Sequence, residues 1–268
     1  MLALGWNFSL ASHEIFTVNG MLCRAVGPLA APCLVTVHAF SSNGTDFLPL
    51  FDTPLAQDYR LVAVDLPGFG ASPGQTQCRT IAEHAAALAD LAMSLSNSSK
   101  LGFVAHSVGS MIAVQAISVL KDKIFGLFSI EGNLTADDAY FSGKAADFSD
   151  AIAFKRYFLE HLWTMGNNNP IFRSFYANAS IADAEAMWRL GCDVRRLSID
   201  DAPGLIYLSI PAPSRYYWNV ENVPLRTVDW IKSAAVPNLT FTGASHWPMI
   251  EIPADTAKAI GRFFENLV

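Results

Sequence analysis

Lys100-Leu101-Gly102-Phe103-Val104-Ala105-His106-Ser107-Val108-Gly109-Ser110-Met111-Ile112 is the stretch on which the reading of this chain turns. A short apolar run ends at Ala105-His106, and a strongly apolar helical pattern runs from Val108 to Leu120. Between them sits one serine, flanked at positions 105 and 109 by alanine and glycine. A chain that passes from buried strand to buried helix within two residues has room only for small neighbours. The residue at the apex takes a strained backbone and projects its side chain outward. Behind it, the helix offers free N–H groups and the positive end of its dipole. A serine placed there is a candidate nucleophile, although serine is also a favoured helix cap.

On either side of this stretch, short β-rich runs alternate with helical ones, the pattern of a mainly parallel sheet. Residues 13–20 and 21–27 read as a hairpin turning at Asn19-Gly20, a pair favoured in tight turns. Cys33 to Val37, Tyr59 to Val64, Lys100 to Ala105 and Ile124 to Ile130 are near-continuous apolar strands, as expected where both sheet faces are covered. Ile81, Ala85, Leu88, Ala92 and Leu95 form one helical stripe. Residues 134–205 change character to aromatic-rich helical pieces with no clear strand. Strand character returns at Arg215 to Trp218 and at Leu239 to Thr242, and a closing helix carries Ala257, Ile260, Phe264 and Leu267. A strandless stretch of that length has difficulty burying a core of its own. It reads as a lid inserted into one core, which comprises residues 1–133 and 206–268.

Four motifs together resemble the α/β-hydrolase fold family. Ala105-His106-Ser107-Val108-Gly109 is similar to its Gly-x-Ser-x-Gly nucleophile elbow, with Ala in place of the first Gly. Val37-His38-Ala39-Phe40-Ser41-Ser42 resembles its His-Gly oxyanion loop, with Ala39 where Gly is usual. Asp65-Leu66-Pro67-Gly68-Phe69-Gly70-Ala71-Ser72 resembles its Asp-x-Pro-Gly-x-Gly-x-Ser turn, and Gly243-Ala244-Ser245-His246-Trp247-Pro248 its histidine loop. The resemblance implies an eight-stranded, mainly parallel sheet flanked by helices, with a helical lid. It implies Ser107 as nucleophile, His246 as general base, and the backbone N–H groups of Phe40 and Val108 as oxyanion donors. His38 is expected to brace its loop. His84 is expected to be solvated or half-buried, and the His106 side chain to leave on another side from the nucleophile.

The third member of the triad is less plain. Most of the family places an aspartate after the seventh strand, and the corresponding position here is Asn222. An amide orients an imidazole but does not offset its charge. Ser129-Ile130-Glu131-Gly132 ends the preceding strand with a carboxylate, where some members keep their acid. Glu131 is therefore the expected partner, with Glu221 as its rival. The implied chemistry is hydrolysis of esters of apolar or aromatic small molecules through an acyl-enzyme. Carbon–carbon bond hydrolysis, a cofactor-free dioxygenase and a non-catalytic ligand receptor stay open beside it. Serine at the elbow argues against the dehalogenase and epoxide-hydrolase branches, whose nucleophile is Asp.

Composition narrows the partners. Of 268 residues, 51% are hydrophobic and 16% charged, and the net charge of −6 is scattered. No basic stripe invites nucleic acid, and no apolar run reaches the ~18 residues needed to span a bilayer. Met1 to Leu10 carries no Lys or Arg and does not read as a secretory signal. The expected location is the cytoplasm, and the oligomeric state is left open. Cys23, Cys33, Cys78 and Cys192 form no Cys-x-x-Cys pair, so they read as ordinary thiols. Sequons such as Asn43-Gly44-Thr45 read as chance matches. Gly68-Phe69-Gly70 lacks the third glycine and the Lys-Ser/Thr of nucleotide loops, so it reads as a structural turn. No metal or organic cofactor is implied.

Overall fold

The computed structural model describes residues 13–74, 80–96 and 100–268. The opening segment and Cys78 lie outside the described residues. Eight strands form one sheet: β1 (Glu14–Val18), β2 (Met21–Val26), β3 (Cys33–Val37), β4 (Arg60–Val64), β5 (Leu101–His106), β6 (Ile124–Ile130), β7 (Ser214–Trp218) and β8 (Asn238–Thr240). Their order is β1-β2-β4-β3-β5-β6-β7-β8. The first two pairings, β1 with β2 and β2 with β4, are antiparallel, and the rest are parallel. The hairpin turns at Asn19-Gly20, where both residues have positive φ, as a two-residue hairpin of that handedness requires. β8 stops at Thr240, two residues earlier than the sequence pattern suggests.

Helices cover both faces: α1 (Leu55–Asp58), α2 (Ile81–Leu95), α3 (Val108–Leu120), α4 (Ala151–Gly166), α5 (Pro170–Ile181), α6 (Ala184–Leu197), α7 (Ala202–Ser209), α8 (Leu225–Ser233), α9 (Pro248–Glu251) and α10 (Pro253–Phe264). Every residue of β4, β5 and β6 is buried, which explains why these strands read as unbroken apolar runs. Thr80 and Glu83 cap α2 reciprocally. His84 corrects an expectation: it is fully buried, and burial pulls its pKa down to about 3. It sits three residues after Ile81 and four before Leu88, within the buried stripe, so the helix turns it inward as a neutral core residue. Among the described residues no helix is long and apolar enough to cross a membrane.

Register decides where chemistry can gather. Val37 pairs with Ala105, His106 with Ile130, Ile130 with Tyr217, and Tyr217 with Leu239. The carboxyl ends of β3, β5, β6 and β7 are therefore level, and the loops that leave them share one edge of the sheet. In open α/β sheets that edge is where ligands bind. Between β6 and β7 the chain forms only helical segments, among them α4 to α7.

Candidate active site

Ser107 stands between β5 and α3 with φ 53° and ψ −127°. A non-glycine residue holds that conformation only where its surroundings insist on it. Here its N–H donates to Ile130 O at 2.9 Å and its carbonyl accepts from Ser110 N at 2.9 Å. Two small residues make the turn feasible. Ala105 is fully buried in the sheet. A methyl at Gly109 would lie 2.5 Å from His38 O and 2.6 Å from Val37 O, so α3 leans directly on the backbone leaving β3. That approach brings the elbow and the oxyanion loop together.

His246 leaves the loop after β8, and its Nδ1 is 2.6 Å from Glu131 Oε2. Glu131 has φ 42° and its side chain is shut off from solvent. Its other oxygen, Oε1, accepts from Asn219 N at 3.0 Å and from Asn222 Nδ2 at 2.9 Å. Both asparagines also donate through their side-chain Nδ2 to Ala244 O, each at 3.3 Å. They thus bridge the carboxylate to the loop that carries His246. Glu221 is exposed, and the structure brings Glu131 rather than Glu221 to the imidazole. A carboxylate receiving two amide donors at one oxygen is left with the other free to accept from Nδ1–H, which orients the proton-free Nε2 away from it.

His106 packs against the base rather than lining the cavity. Its ring centroid lies 4.5 Å from that of His246 and 6.0 Å from that of Trp247. Strand alternation sends it onto the face covered by the histidine loop, where it is fully buried. Burial holds its pKa well below the usual histidine range, so it acts as a neutral platform for the second ring. His38 braces its loop as expected: Nδ1 is 2.8 Å from Ala39 O, and Nε2 accepts from Leu66 N at 3.0 Å. Burial lowers its pKa too.

The expected oxyanion donors belong to two residues that line the same cavity. Val108 is the first residue of α3, so its N–H has no partner within the helix. Phe40 lies in the turn after β3, closed by Ser42 N donating to Ala39 O at 3.2 Å. Ala39 and Ala105 are not among the residues with positive φ, so alanine in place of the family's glycine strains neither. Ser107, Val108, Ala39, Phe40, Glu131 and His246 all line one cavity of about 180 Å³.

The inserted helices supply much of the cavity wall, including Phe141, Met165, Phe172 and Phe175. Other rings of this segment pack between it and the oxyanion loop: Phe154 and Phe158 are buried, lie 5.6 Å apart, and pack against Phe40 at 6.2 and 5.6 Å between ring centroids. Trp163 faces outward. The sequence lists these aromatics without sorting them, because the sorting depends on which helix face meets the oxyanion loop. Sequence reasoning also missed Asp46, Asn178 and Asp138. Asp138 lines the cavity, and it accepts from Leu134 N and Thr135 N, both at 2.8 Å, and from Thr227 Oγ1 at 2.7 Å. Burial raises its pKa. Its capping-box spacing after Thr135 was the one local signal available.

With this geometry in hand, comparison with known proteins gives the family directly. The chain belongs to the alpha/beta hydrolase family, whose model matches residues 34–259. Solved structures similar to it include the N-acyl homoserine lactonase AidH complexed with N-butanoyl homoserine (18% identity, TM-score 0.75, covering 96% of this chain and 97% of that one). A thermophilic esterase from Thermogutta terrifontis is similar at 16% identity and TM-score 0.72, covering 96% and 99%. An E-2-(acetamidomethylene)succinate hydrolase follows at 21% identity and TM-score 0.72, covering 95% and 100%. At these identities the likeness speaks for the fold alone. Comparison with curated proteins gives no match in sequence.

Proposed function

We propose that this protein is a serine hydrolase that cleaves carboxylic esters of apolar or aromatic small molecules through an acyl-enzyme. The observation that carries the reading is the 2.6 Å contact between His246 Nδ1 and Glu131 Oε2 at the wall of the cavity that Ser107 also lines. In this reading Glu131 fixes the tautomer and stabilises the imidazolium, while His246 Nε2 takes the Ser107 proton. Ser107 Oγ attacks the ester carbonyl, and the N–H groups of Phe40 and Val108 receive the oxyanion. Each such donor is worth about 10² to 10³ in rate. His246 then protonates the departing alcohol. Water, deprotonated by the same imidazole, attacks the acyl-enzyme and frees Ser107.

Residues 134–205 act in this proposal as a lid whose inner rings select the substrate by apolar contact. The structural neighbours that are named as an esterase and a lactonase are consistent with acyl transfer at such a site. The test is a fluorophosphonate probe followed by a panel of p-nitrophenyl esters. Mass spectrometry should place the adduct on Ser107, and Ser107→Ala should lose both labelling and ester turnover while keeping its fold. Labelling elsewhere, or full turnover in the alanine variant, would overturn the assignment.

A further inference from the structure

Resting on the serine-hydrolase reading, we propose that Asp46 is a positioning residue. Its buried carboxylate ties the oxyanion loop, the His246 loop and helix α5 together, and so holds the Phe40 donor in register with the base. Asp46 is only 4% exposed, and each part of the site sends it a donor. The Ser42 hydroxyl, two residues beyond Phe40, donates to Oδ2. Asn178 of α5 donates through Nδ2 to Oδ1 at 3.1 Å, and lies 3.3 Å from Ser42 Oγ. Asn178 Oδ1 in turn accepts from Asn43 Nδ2 at 3.0 Å. The Trp247 indole N–H, next in sequence to His246, donates to the same carboxylate.

Local structure does not explain this carboxylate. The short helix that Asp46 enters, Gly44–Asp52, is capped by Asn43, whose side chain accepts from Thr45 N. The loop that Asp46 holds does need outside support. Ser41 has φ 58°, and its buried hydroxyl has no hydrogen-bond partner among the described residues. A left-handed serine reverts to ordinary backbone unless its surroundings prevent it. Trp247 completes the link, since its ring packs on Phe172 and Phe175 of α5 with centroids 5.6 and 5.3 Å apart. Burial pushes the Asp46 carboxyl up to about 6, against the pull of its three donors. An apolar side chain would fill this space without that penalty, so the carboxylate is kept for what it holds.

Two readouts test the tie, one chemical and one independent of turnover. The first is the rate at which a fluorophosphonate labels Ser107. Misplacing reacting groups by an ångström can cost about 10²-fold. Asp46→Ala should therefore slow labelling between about ten- and a hundredfold. Trp247→Phe keeps the ring and loses the N–H, and should slow labelling by a smaller factor. Combined with Asp46→Ala it should add nothing, because both remove one link. Asp46→Asn retains an acceptor for Asn178 and should recover most of the rate. The second readout is hydrogen–deuterium exchange, which should rise in Asp46→Ala over residues 38–43 and 243–248 together. Labelling within twofold of wild type, additive effects in the double variant, or exchange that rises only around residue 46 would overturn the proposal. If Asp46→Ala does not fold, Trp247→Phe carries the labelling and exchange comparisons, and an unchanged rate in it overturns the proposal. A wild-type protein that fails to label at Ser107 refutes the hydrolase reading, while the exchange experiment still decides the tie.

Discussion

Replacing Glu131 by glutamine changes one atom and should silence the base. Glu131 Oε1 accepts from two donors, Asn219 N at 3.0 Å and Asn222 Nδ2 at 2.9 Å, while Oε2 faces His246 Nδ1 at 2.6 Å. A glutamine must choose which side receives its NH₂. Turned toward the asparagines, it would set donor against donor twice, at about 1 to 3 kcal/mol for each unsatisfied group. Turned toward His246, it conflicts with one N–H, and the imidazole escapes by moving its proton to Nε2. That tautomer presents Ser107 with a donor where a base is needed. The expected loss in kcat approaches the ~10⁴ seen when the acid of a serine triad is neutralised, about 5.5 kcal/mol of barrier. Because shape and volume are conserved, thermal unfolding should shift little. Initial rates on p-nitrophenyl butyrate, with circular dichroism to confirm the fold, decide the matter. A fall of less than tenfold would refute the reasoning, as would Glu221→Gln proving the crippled variant. Glu221 is exposed, so its substitution should alter kcat by no more than about twofold.

Gly109→Ala forces a methyl to within 2.5 Å of His38 O; it should destabilise the fold by about 1 to 3 kcal/mol, and an unchanged denaturation midpoint would contradict the packing described. For the lining formed by Phe141, Met165, Phe172 and Phe175, each added acyl methylene should raise kcat/KM by up to about fourfold, or ~0.8 kcal/mol, until the cavity is full. Specificity constants that fall from acetate onward would refute that. Asp46→Asn tests the buried carboxyl: with its pKa raised from 3.8 to about 6, the wild type should lose about 3 kcal/mol relative to the variant as pH rises from about 3 to 7, and nothing further above that. Thermal unfolding of both proteins across that range would show a flat difference if the carboxyl titrates normally.

How much of this could be read from residues alone followed from how local each constraint is. The elbow was legible because strand, small residues, serine and helix are consecutive, and the histidine loop because it joins the last strand to the closing helix. The acid was ambiguous for a geometric reason. β6 and β7 are neighbours with Ile130 opposite Tyr217, so a carboxylate ending either strand can face the same imidazole. Sequence offered Glu131 and Glu221, and the backbone chose between them: Glu131 N donates to Tyr217 O at 2.9 Å, which sets its side chain under the His246 loop. Asn222 keeps the other place and serves the same carboxylate from across it. His84 was misread because charged and apolar neighbours in sequence do not reveal which way a helix turns. What covers His106 was not legible, because the loop that does so arrives 140 positions later, at His246. Beyond an acid in the first turn of a short helix, the Asp46 cluster had no local signature, since Asn178 is 132 positions away from it.

Asp65, Asp46 and Glu131 show how the loops at this edge are held. Asp65 receives Gly44 N and Ala71 N, both at 2.8 Å, and the Arg24 guanidinium at 2.7 Å. Glu131 faces an imidazole able to carry charge. The donors gathered on Asp46 from Ser42, Asn178 and Trp247 are all neutral. Neutral donors compensate a buried charge less fully than a cation does, and this explains why desolvation prevails at Asp46 and lifts its pKa to about 6. A core-filling residue would never be left in that condition. The loops at this edge are fixed relative to one another by hydrogen bonds that end on a carboxyl whose ionised form the surroundings do not favour. Protonation below about pH 6 relieves that penalty and should stabilise the fold at Asp46, while the Arg24–Asp65 pair anchors the turn beneath it.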